Sequence, residues 1–285
     1  MQSFTPLRYP GGKAKLYNFT KKLIIDNFDN PPIYAESFVG GAGLALKLLS
    51  NGVVSKIYIN DFDYAIYCFW HSLKYENSKF KEKLKNSKFT IDEWDVQKKI
   101  YLSSKLKSKS KFTKLEIGYA TFYLNRTNRS GILTAGPIGG RLQNGNYLMD
   151  CRFNIDGLLK IVENFNRIKE NVHVYHRDAY KFIHAMDKMH EDLVIYLDPP
   201  YVVKGPGLYK NSFDKEKHEE LKESVKMLSC KWFMTYDKNE LIQKLYKEFP
   251  LQSFDLNYSA HSNKKGKELA IFSQSMVVNS LIERI

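Results

Sequence analysis

The sequence predicts an α/β protein built on one open, mainly parallel sheet with an antiparallel edge, together with a separate inserted lobe. Three observations lead to this prediction. Short apolar runs recur along the chain, amphipathic helical patterns lie between several of them, and this alternation stops between about residues 64 and 155. Strands that alternate with helices are typical of parallel sheets whose two faces are both covered.

Seven apolar runs, each bounded by polar or turn residues, have the character of strands. They span residues 33–38, 56–61, 172–178, 192–198, 231–237, 249–258 and 268–274. Only a loop separates the last two runs, which predicts an antiparallel pair of strands at one edge of the sheet.

Helical patterns separate several of these strands, so we expect helices to cover the sheet. In each of three stretches the apolar side chains share one helical face: Leu16, Phe19, Leu23 and Ile24; Leu158, Ile161, Val162 and Phe165; and Leu221, Val225 and Leu228.

The composition allows one large domain with an inserted lobe, because 285 residues with 43% apolar side chains can bury a substantial core. The chain carries 44 basic and 31 acidic residues, a net charge of +13 that favours nucleic acid over an anionic membrane as partner. Residues 64–155 contain 13 Lys and 4 Arg against 7 acidic residues, so about +10 of the charge lies there. We therefore predict a sheet domain of residues 1–63 and 156–285, and an inserted basic lobe of residues 64–155.

The predicted lobe has two halves of different character. The first is lysine-rich and helical in pattern, with an exposed loop at residues 103–114, and the second, residues 125–147, is rich in Gly, Asn and Pro, as hairpins and irregular loops are. A single lysine run usually only solvates a surface. Charge concentrated in one lobe, with Tyr and Phe interleaved, favours a face that binds nucleic acid.

Several classes of protein are disfavoured. No stretch approaches the roughly 20 apolar residues of a membrane-spanning helix, and the first residues lack the apolar segment of a signal peptide, so we expect a cytoplasmic protein. Cys68, Cys151 and Cys230 are far apart and have no second ligand at zinc spacing, which argues against disulfides and zinc. His173 and His176 lie in an alternating stretch and are interpreted as strand residues. We predict no metal.

A glycine-rich loop follows the first predicted strand, with Gly40, Gly41 and Gly43 directly before a helical segment. Glycines there permit a tight turn and close approach of a ligand to the helix N-terminus. Asp61 ends the second strand about twenty residues later, where a carboxylate can accept hydrogen bonds from a ribose diol. A nucleotide-like ligand is therefore one interpretation, and a tight turn without a ligand is the other.

The loop fits S-adenosylmethionine better than it fits a dinucleotide. Leu46 stands where a dinucleotide motif needs its third glycine. A phosphate-binding loop elsewhere in the chain also fails, because Ala14 follows Gly12 and Lys13 and the upstream glycine is missing.

The quartet Asp198, Pro199, Pro200 and Tyr201 follows the apolar strand LVIYL. Paired prolines could simply end the strand. The quartet can also do chemistry, because the Asp198 carboxylate and the Pro199 carbonyl can accept both N–H bonds of an exocyclic amino group on a base. Its nitrogen would thereby present a localised lone pair to a methyl donor. Tyr201 offers a flat face on which an extruded base can stack.

These motifs and their order resemble those of the Dam-type DNA adenine methyltransferases, and the resemblance extends over nearly all of the chain. It implies a Rossmann-like methyltransferase sheet of seven strands with an inserted, mainly helical recognition lobe that carries a hairpin. The segments RYPGGK, ESFVGGAG, IYIND, HRDAY, LNRTNRSG, DPPY and KELAIFS resemble the family's motifs. The sheet domain is then a catalytic domain that binds S-adenosylmethionine.

The resemblance also assigns residues. The catalytic set is Asp198, Pro199, Pro200 and Tyr201. The set implied to bind S-adenosylmethionine is Tyr9, Pro10, Gly11, Lys13, Glu36, Phe38, Gly40, Gly41, Gly43, Asp61, Phe62 and Asp178. The set implied to bind DNA is Arg8, Asn125, Arg126, Arg129 and Arg141, within or near the hairpin LNRTNRSG at residues 124–131.

The chain departs from the family pattern at a few positions. Ser37 replaces a proline and an extra glycine shifts the glycine loop by one residue. Members that recognise GATC usually carry an aromatic residue where Arg129 stands and an arginine where Thr134 stands. The target sequence is therefore left open. Arg8 could hold a guanine through its two major-groove acceptors or simply contact a phosphate.

We expect a site-specific enzyme that flips an adenine out of duplex DNA and methylates its 6-amino group by direct in-line displacement, without a covalent enzyme intermediate. Cytosine 4-amino methylation uses the same geometry, and a catalytically inactive DNA-binding relative is a further alternative. Methylation of RNA or of protein amides is a third. We also expect a prokaryotic or phage-encoded protein, a monomer or weak dimer, that acts on the chromosome in the cytoplasm. A cognate restriction endonuclease is a further partner that such a system allows.

Overall fold

The computed structural model describes residues 4–8, 13–201, 213–257 and 265–279. Two compact units divide the chain. One consists of residues 1–12, 40–43 and 61–176, and the other of residues 13–39, 44–60 and 177–285. The first unit contains all of the predicted lobe, 64–155, and extends beyond both of its predicted boundaries.

The described residues form seven strands in one mixed sheet, which confirms the predicted fold class. The strands are β1 Ile33–Glu36, β2 Lys56–Asn60, β3 Val172–Tyr175, β4 Leu193–Leu197, β5 Lys231–Asp237, β6 Leu251–Asn257 and β7 Lys265–Phe272. Their order in the sheet is β3-β2-β1-β4-β5-β7-β6. The strand β1 is parallel to β2 and β4, and β4 is parallel to β5, whereas β7 is antiparallel to β5 and β6.

Several helices of the described ranges lie where the apolar periodicity predicts a helix. They are α1 Tyr17–Ile25, α2 Gly43–Ser50, α3 Tyr64–Tyr75, α4 Asn77–Lys85, α5 Ile91–Ser103, α6 Lys114–Thr127, α7 Ile155–Ile168, α8 Ala179–Met189, α9 Lys215–Lys226 and α10 Glu240–Leu245. Short 3₁₀ helices span Lys13–Leu16, Ser104–Lys109, Arg129–Gly131 and Lys169–Asn171. None of the helices in the described ranges is long and apolar enough to cross a membrane.

The end of β4 and the beginning of β7, which run in opposite directions, lie at the same end of the sheet. β4 ends at Leu197, so Asp198 lies at the edge where the parallel strands end. β7 runs in the opposite direction, and near its start Glu268 is paired with Asp237 at the end of β5. Residues that end β4 and residues that begin β7 therefore meet at one edge of the sheet.

The first unit has an aromatic core around α3 and α6. The Phe69 and Phe122 rings stack with centroids 6.2 Å apart, and Phe80 and Phe153 contact the Phe122 ring edge-on at 5.4 Å and 5.3 Å. Burial of large rings is the dominant stabilising contribution in such a small helical unit.

The hairpin predicted at residues 124–131 begins later in the chain than expected. A capping box between Thr113 and Glu116 starts α6, and this helix continues through Thr127. The chain turns only afterwards, where Asn128 forms an isolated antiparallel bridge with Pro137. The predicted start of the hairpin was wrong because the buried face of α6 extends to Leu124, Asn125 and Thr127, and the first glycine comes only at Gly131.

The thiols and imidazoles lie in ordinary structural settings. Cys68, Cys151 and Cys230 are free thiols, and burial raises the pKa of Cys68 to about 12. His173 lies in β3, and His176 follows directly, with its Nε2 3.1 Å from the Phe62 carbonyl. In the described ranges, no three His, Cys, Asp or Glu side chains are grouped as a metal would need.

Candidate active site

Asp198 is held by one of its two carboxylate oxygens. Oδ1 accepts a hydrogen bond from the Thr235 hydroxyl at 2.9 Å. The Tyr201 hydroxyl and the Lys13 ammonium nitrogen lie 3.3 Å and 3.4 Å from the same oxygen. No donor from the described part of the chain contacts Oδ2. The carboxylate is therefore fixed in orientation while its second oxygen can accept from a ligand.

Lys13 and Glu268 complete this group of buried polar side chains. Lys13 Nζ donates to Glu268 Oε2 at 2.9 Å and also to the Tyr201 hydroxyl. The Tyr201 hydroxyl lies 3.0 Å from Glu268 Oε1. The exposed fractions of Lys13, Glu268 and Tyr201 are 5%, 0% and 8%. We call this set of Lys13, Asp198, Tyr201, Thr235 and Glu268 the Asp198 cluster.

Burial and charge set the protonation of the Asp198 cluster. Burial raises the pKa of Asp198 to about 6, the Lys13 ammonium opposes this rise, and the Glu268 carboxylate adds to it. Burial alone would lower the pKa of Lys13, but the carboxylates of Asp198 and Glu268 outweigh burial and raise it. The cluster thus places two carboxylates beside one ammonium group.

The two prolines stiffen the segment that follows Asp198. Pro199 is buried and Pro200 is half-buried, and each has a fixed φ and no backbone N–H. No donor from the described ranges contacts the Pro199 carbonyl. Asp198 Oδ2 and the Pro199 carbonyl are therefore two acceptors, adjacent in sequence, that can both receive N–H bonds.

A second carboxylate is held by backbone amides in the first unit. Asp61 Oδ2 accepts from the Gly40 N–H and Oδ1 from the Asp63 N–H, each at 2.9 Å. Gly40 has φ +45°, a conformation that favours glycine, and its carbonyl accepts from the Trp70 indole at 2.9 Å. Burial and the nearby Asp63 carboxylate raise the pKa of Asp61 to about 7. We call Gly40, Asp61 and Asp63 the Asp61 cluster.

Three further predicted cofactor residues end a strand or lie shortly after one. Phe62 follows Asp61 with 48% of its side chain exposed. Asp178 caps α8, since its Oδ1 accepts from the Tyr180 and Lys181 N–H groups at 3.1 Å and 3.2 Å. Glu36 is buried at the end of β1 and its Oε2 accepts from the Tyr34 hydroxyl at 3.2 Å.

The remaining predicted cofactor residues fall into two groups. Phe38 contacts Phe213 edge-on, with ring centroids 5.8 Å apart, while Gly41 is buried and Gly43 begins α2. Tyr9, Pro10 and Gly11 lie outside the described residues.

Asn125 faces inward and holds the N-terminal segment in the first unit. Its Oδ1 accepts from the Arg8 N–H at 2.7 Å, and its Nδ2 donates to the carbonyls of Arg8 and Gly131 at 2.8 Å and 3.0 Å. Gly131 has φ +75°, and a Cβ atom there would lie 2.5 Å from the Arg8 carbonyl oxygen. The Asn125 amide is thus fully occupied by backbone groups, and only glycine fits opposite it.

Arg126 also binds the N-terminal segment. Its guanidinium donates twice to the Pro6 carbonyl, from Nε at 2.6 Å and from a second nitrogen. Burial, followed by the charge of Arg8, lowers the pKa of Arg126 to about 10. Arg8 itself has a buried guanidinium nitrogen without a partner among the described residues. Asn125 and Arg126 therefore position the segment that carries Arg8.

The other two predicted DNA-binding arginines are at the surface. Arg129 is exposed, and its backbone N–H donates to the Gly136 carbonyl at 3.1 Å. Arg141 makes two bonds of 2.8 Å and 2.7 Å to the carboxylate of Asp95. The predicted lysine loop contains the 3₁₀ helix Ser104–Lys109, whose lysines are exposed.

Sequence reasoning missed Glu268 and Thr235. Thr235 is a polar residue among apolar ones in β5, and Glu268 directly precedes the apolar run LAIF of β7, and these positions were the available signal. A buried charge needs a partner, so such a position predicts an ion pair or hydrogen bond. The identity of the partner was not readable, because Lys13 and Glu268 are 255 residues apart in the chain.

The order of the sheet, with antiparallel β7 between β5 and β6, is the seven-stranded arrangement expected of a methyltransferase. The acceptor pair that begins at Asp198 follows the central strand β4 of this sheet. The strand order and this motif agree with the methyltransferase fold that the sequence predicts.

Comparison with known proteins identifies the family. The sequence matches the D12 class N6 adenine-specific DNA methyltransferases over residues 9–260, and the chain belongs to this family. A search of curated proteins gave no match. Among solved structures, the rRNA methyltransferase aviRa from Streptomyces viridochromogenes is similar, with 11% sequence identity and a TM-score of 0.41. The similarity covers 95% of this chain and 88% of that chain.

Membership of this family establishes the predicted activity. The protein is an enzyme that methylates the 6-amino group of adenine in DNA, so DNA is its substrate and it requires a methyl donor. The match supports neither methylation of cytosine nor a catalytically inactive relative.

Proposed function

We propose that this enzyme takes its methyl group from S-adenosylmethionine and that Asp198 and Pro199 orient the adenine amine for transfer. The observation that carries the proposal is the one-sided hydrogen bonding of Asp198. Three donors surround Oδ1, whereas Oδ2 and the Pro199 carbonyl receive none from the described residues. A flipped adenine offers two N–H bonds, which match these two acceptors in number and polarity.

The residues present fit S-adenosylmethionine. Each oxygen of Asp61 accepts one backbone N–H and keeps a further lone pair, which suits a ribose diol. Phe62 exposes a flat ring suited to an adenine face. Asp178 uses Oδ1 to cap α8, and no donor in the described ranges contacts Oδ2, which suits an adenine amino group. When bound, S-adenosylmethionine supplies an electrophilic methyl group that an amine nitrogen can displace directly.

Asp198 acts on the amine as an orienting acceptor. Its ionised Oδ2 and the Pro199 carbonyl withdraw the two N–H bonds from the plane of the ring, so the nitrogen lone pair localises. The amino proton becomes acidic only after the nitrogen has gained its methyl group, and Asp198 is then the nearest base. Tyr201 has its hydroxyl bound to Glu268 and only 8% of its side chain exposed, so stacking of the adenine on its ring stays a prediction.

The DNA is proposed to be duplex, with the target adenine extruded from the helix at a cost of a few kcal/mol. Arg8 and Arg129 are proposed to contact the DNA directly, with Asn125 and Arg126 holding the segment that carries Arg8. Arg141 is paired with Asp95 on an exposed surface and would exchange this carboxylate for a phosphate.

The decisive test is the product. The purified protein, duplex DNA and methyl-labelled S-adenosylmethionine are incubated, and the DNA is digested for mass spectrometry of its nucleosides. We expect label in N6-methyladenine and none in N4-methylcytosine. Unlabelled DNA from a preparation that binds S-adenosylmethionine would refute the proposal. Mapping of methylated adenines in a host that expresses the chain would give the recognition sequence.

The lysine surface provides a test of DNA binding. Lys105, Lys109 and Lys111 are exposed, and their replacement by Gln should weaken binding evenly across sequences. Each lysine–phosphate interaction that the variant removes should flatten the slope of log affinity against log salt by about 0.9. The matched control replaces three exposed lysines of the other unit, Lys188, Lys244 and Lys247. An unchanged slope in the first variant would show that these lysines only solvate the surface.

Three further properties stay predictions. They are a cognate restriction endonuclease, a monomeric or weakly dimeric state, and action on the chromosome in the cytoplasm. Sedimentation of the purified protein with and without DNA measures the second of these directly.

A further inference from the structure

Glu268 is the buried charge in the Asp198 cluster that the mechanism does not use. Its side chain has 1% exposure, and its two oxygens bind different partners, Lys13 through Oε2 and Tyr201 through Oε1. Both partners also contact Asp198 Oδ1. Glu268 is thus connected to the orienting carboxylate by two separate routes, and the hydroxyl of Thr235 supplies a third donor to the same oxygen.

A neutral residue at position 268 would leave Lys13 paired with one carboxylate. Asp198 and Lys13 alone form a neutral ion pair, and an additional buried carboxylate is costly unless it is compensated. With Glu268 the cluster has two carboxylates against one ammonium. The excess negative charge lies beside the acceptor that we propose to hold the adenine amine. The donor and its product differ in charge, because S-adenosylmethionine carries a positive sulfonium whereas S-adenosylhomocysteine is uncharged at sulfur.

We propose that Glu268 is a positioning residue that locks Lys13 and Tyr201 against Asp198 and gives the cluster the negative charge that favours the sulfonium donor over its neutral product. This inference rests on the proposed use of S-adenosylmethionine and deepens it. In this proposal Glu268 acts through its contacts with Lys13 and Tyr201, which both contact Asp198.

The charged and titratable groups around Asp198 allow the proposed role of Glu268 to be tested. They are Lys13 from the 3₁₀ helix Lys13–Leu16, Glu268 from β7, Tyr201 from the same turn, Tyr196 from β4 and Tyr34 from β1. Of these, Glu268 is a negative neighbour that raises the pKa of Asp198. Replacement of Glu268 by a neutral residue should therefore lower the pKa of Asp198.

The experiment compares the wild type with Glu268→Gln and uses Glu248→Gln as the matched control. Glu248 is an exposed carboxylate that pairs with Lys222 and Lys226, so this control loses the same charge elsewhere. Calorimetry gives the dissociation constants of S-adenosylmethionine and S-adenosylhomocysteine. In Glu268→Gln, the preference for the donor over the product should fall about tenfold, because unit charges interact strongly in a buried site.

The second readout is the pH profile of methyl transfer at saturating substrates. The acid limb, expected near pH 6 from Asp198, should move to lower pH in Glu268→Gln and stay in place in Glu248→Gln. A purely structural role would lower the stability and the rate without moving either the ligand preference or this limb. A folded Glu268→Gln protein with unchanged preference and unchanged limb overturns the inference.

Three outcomes need separate handling. If Glu268→Gln does not fold, Glu268→Asp is used, which keeps the charge and shortens the side chain by one methylene. We then expect the preference for the donor over the product to persist while the turnover falls. Loss of this preference in Glu268→Asp would overturn the inference. If the wild type binds neither ligand, the proposed use of S-adenosylmethionine fails. If the wild type binds both and methylates adenine, but Glu268→Gln behaves like Glu248→Gln, only the role of Glu268 fails.

Discussion

Asp198 and Asp61 are two carboxylates at strand ends whose charges are compensated in different ways. Burial raises the pKa of both, to about 6 for Asp198 and to about 7 for Asp61. Asp198 lies beside the ammonium of Lys13 and the like charge of Glu268, whereas the donors to Asp61 among the described residues are two backbone N–H groups and its like-charged neighbour is Asp63. The ammonium beside Asp198 and the backbone amides beside Asp61 thus both oppose the rise in pKa that burial causes.

The two carboxylates also differ in the use of their oxygens. All donors to Asp198 that the described residues provide converge on Oδ1, while Asp61 uses each oxygen once. The first arrangement leaves one oxygen for a single substrate group, and the second leaves one lone pair on each oxygen for a diol. We therefore expect loss of Asp198 to reduce the rate of transfer and loss of Asp61 to reduce the affinity for the cofactor.

The largest expected effect is that of Asp198→Ala. Turnover should fall at least about a hundredfold, because removal of an orienting group in an active site costs a few kcal/mol of transition-state stabilisation. DNA binding should persist, and cofactor affinity should change far less than turnover. Single-turnover transfer of labelled methyl groups and calorimetry measure the two quantities. Near-normal turnover in this variant would remove the proposed mechanism.

The second effect is that of Asp61→Ala. The apparent affinity for S-adenosylmethionine should fall about ten- to a hundredfold, because hydrogen bonds to a charged group contribute about 1.5–3 kcal/mol. The turnover at saturating cofactor should change little. Initial rates over a range of cofactor concentrations separate the two. A variant with a normal affinity and a low turnover would show that the two carboxylates do not divide the work in this way.

The third effect is a difference between the pH at which cofactor affinity decreases and the pH at which turnover decreases. As the pH falls through 7, Asp61 becomes protonated and the affinity for the cofactor should decrease, by about tenfold for each unit below this pKa. Turnover at saturating cofactor should persist until the pH falls through about 6, where Asp198 is protonated. Asp63→Asn removes the like charge near Asp61 and should move only the affinity profile to lower pH. Coincident profiles for affinity and turnover would contradict the comparison.

The smallest effect is that of Thr235→Val. The hydroxyl of Thr235 donates to Asp198 Oδ1 at 2.9 Å, and Tyr196 contacts the same hydroxyl at 2.7 Å. Loss of one neutral hydrogen bond, worth about 1 kcal/mol, should lower the turnover about fivefold and leave cofactor affinity unchanged. Thr235→Ser restores the hydroxyl and should restore the turnover. Equal rates for the Val and Ser variants would show that the hydroxyl does not position Asp198.

The sequence alone determined the strands and several helices, and it predicted Asp198 and Pro199 as a pair of acceptors, because period, turn residues and a motif at a strand end are local properties of the chain. It also identified Asp61, which is half-buried in the structure and has a raised pKa. Only the tertiary structure decided that Lys13 meets Glu268, 255 residues away, and that Asn125 and Arg126 turn inward to hold the segment of Arg8. These contacts depend on which strands and helices pack together, since a buried charge or amide takes its partner from the element that folding brings beside it, at any distance along the chain.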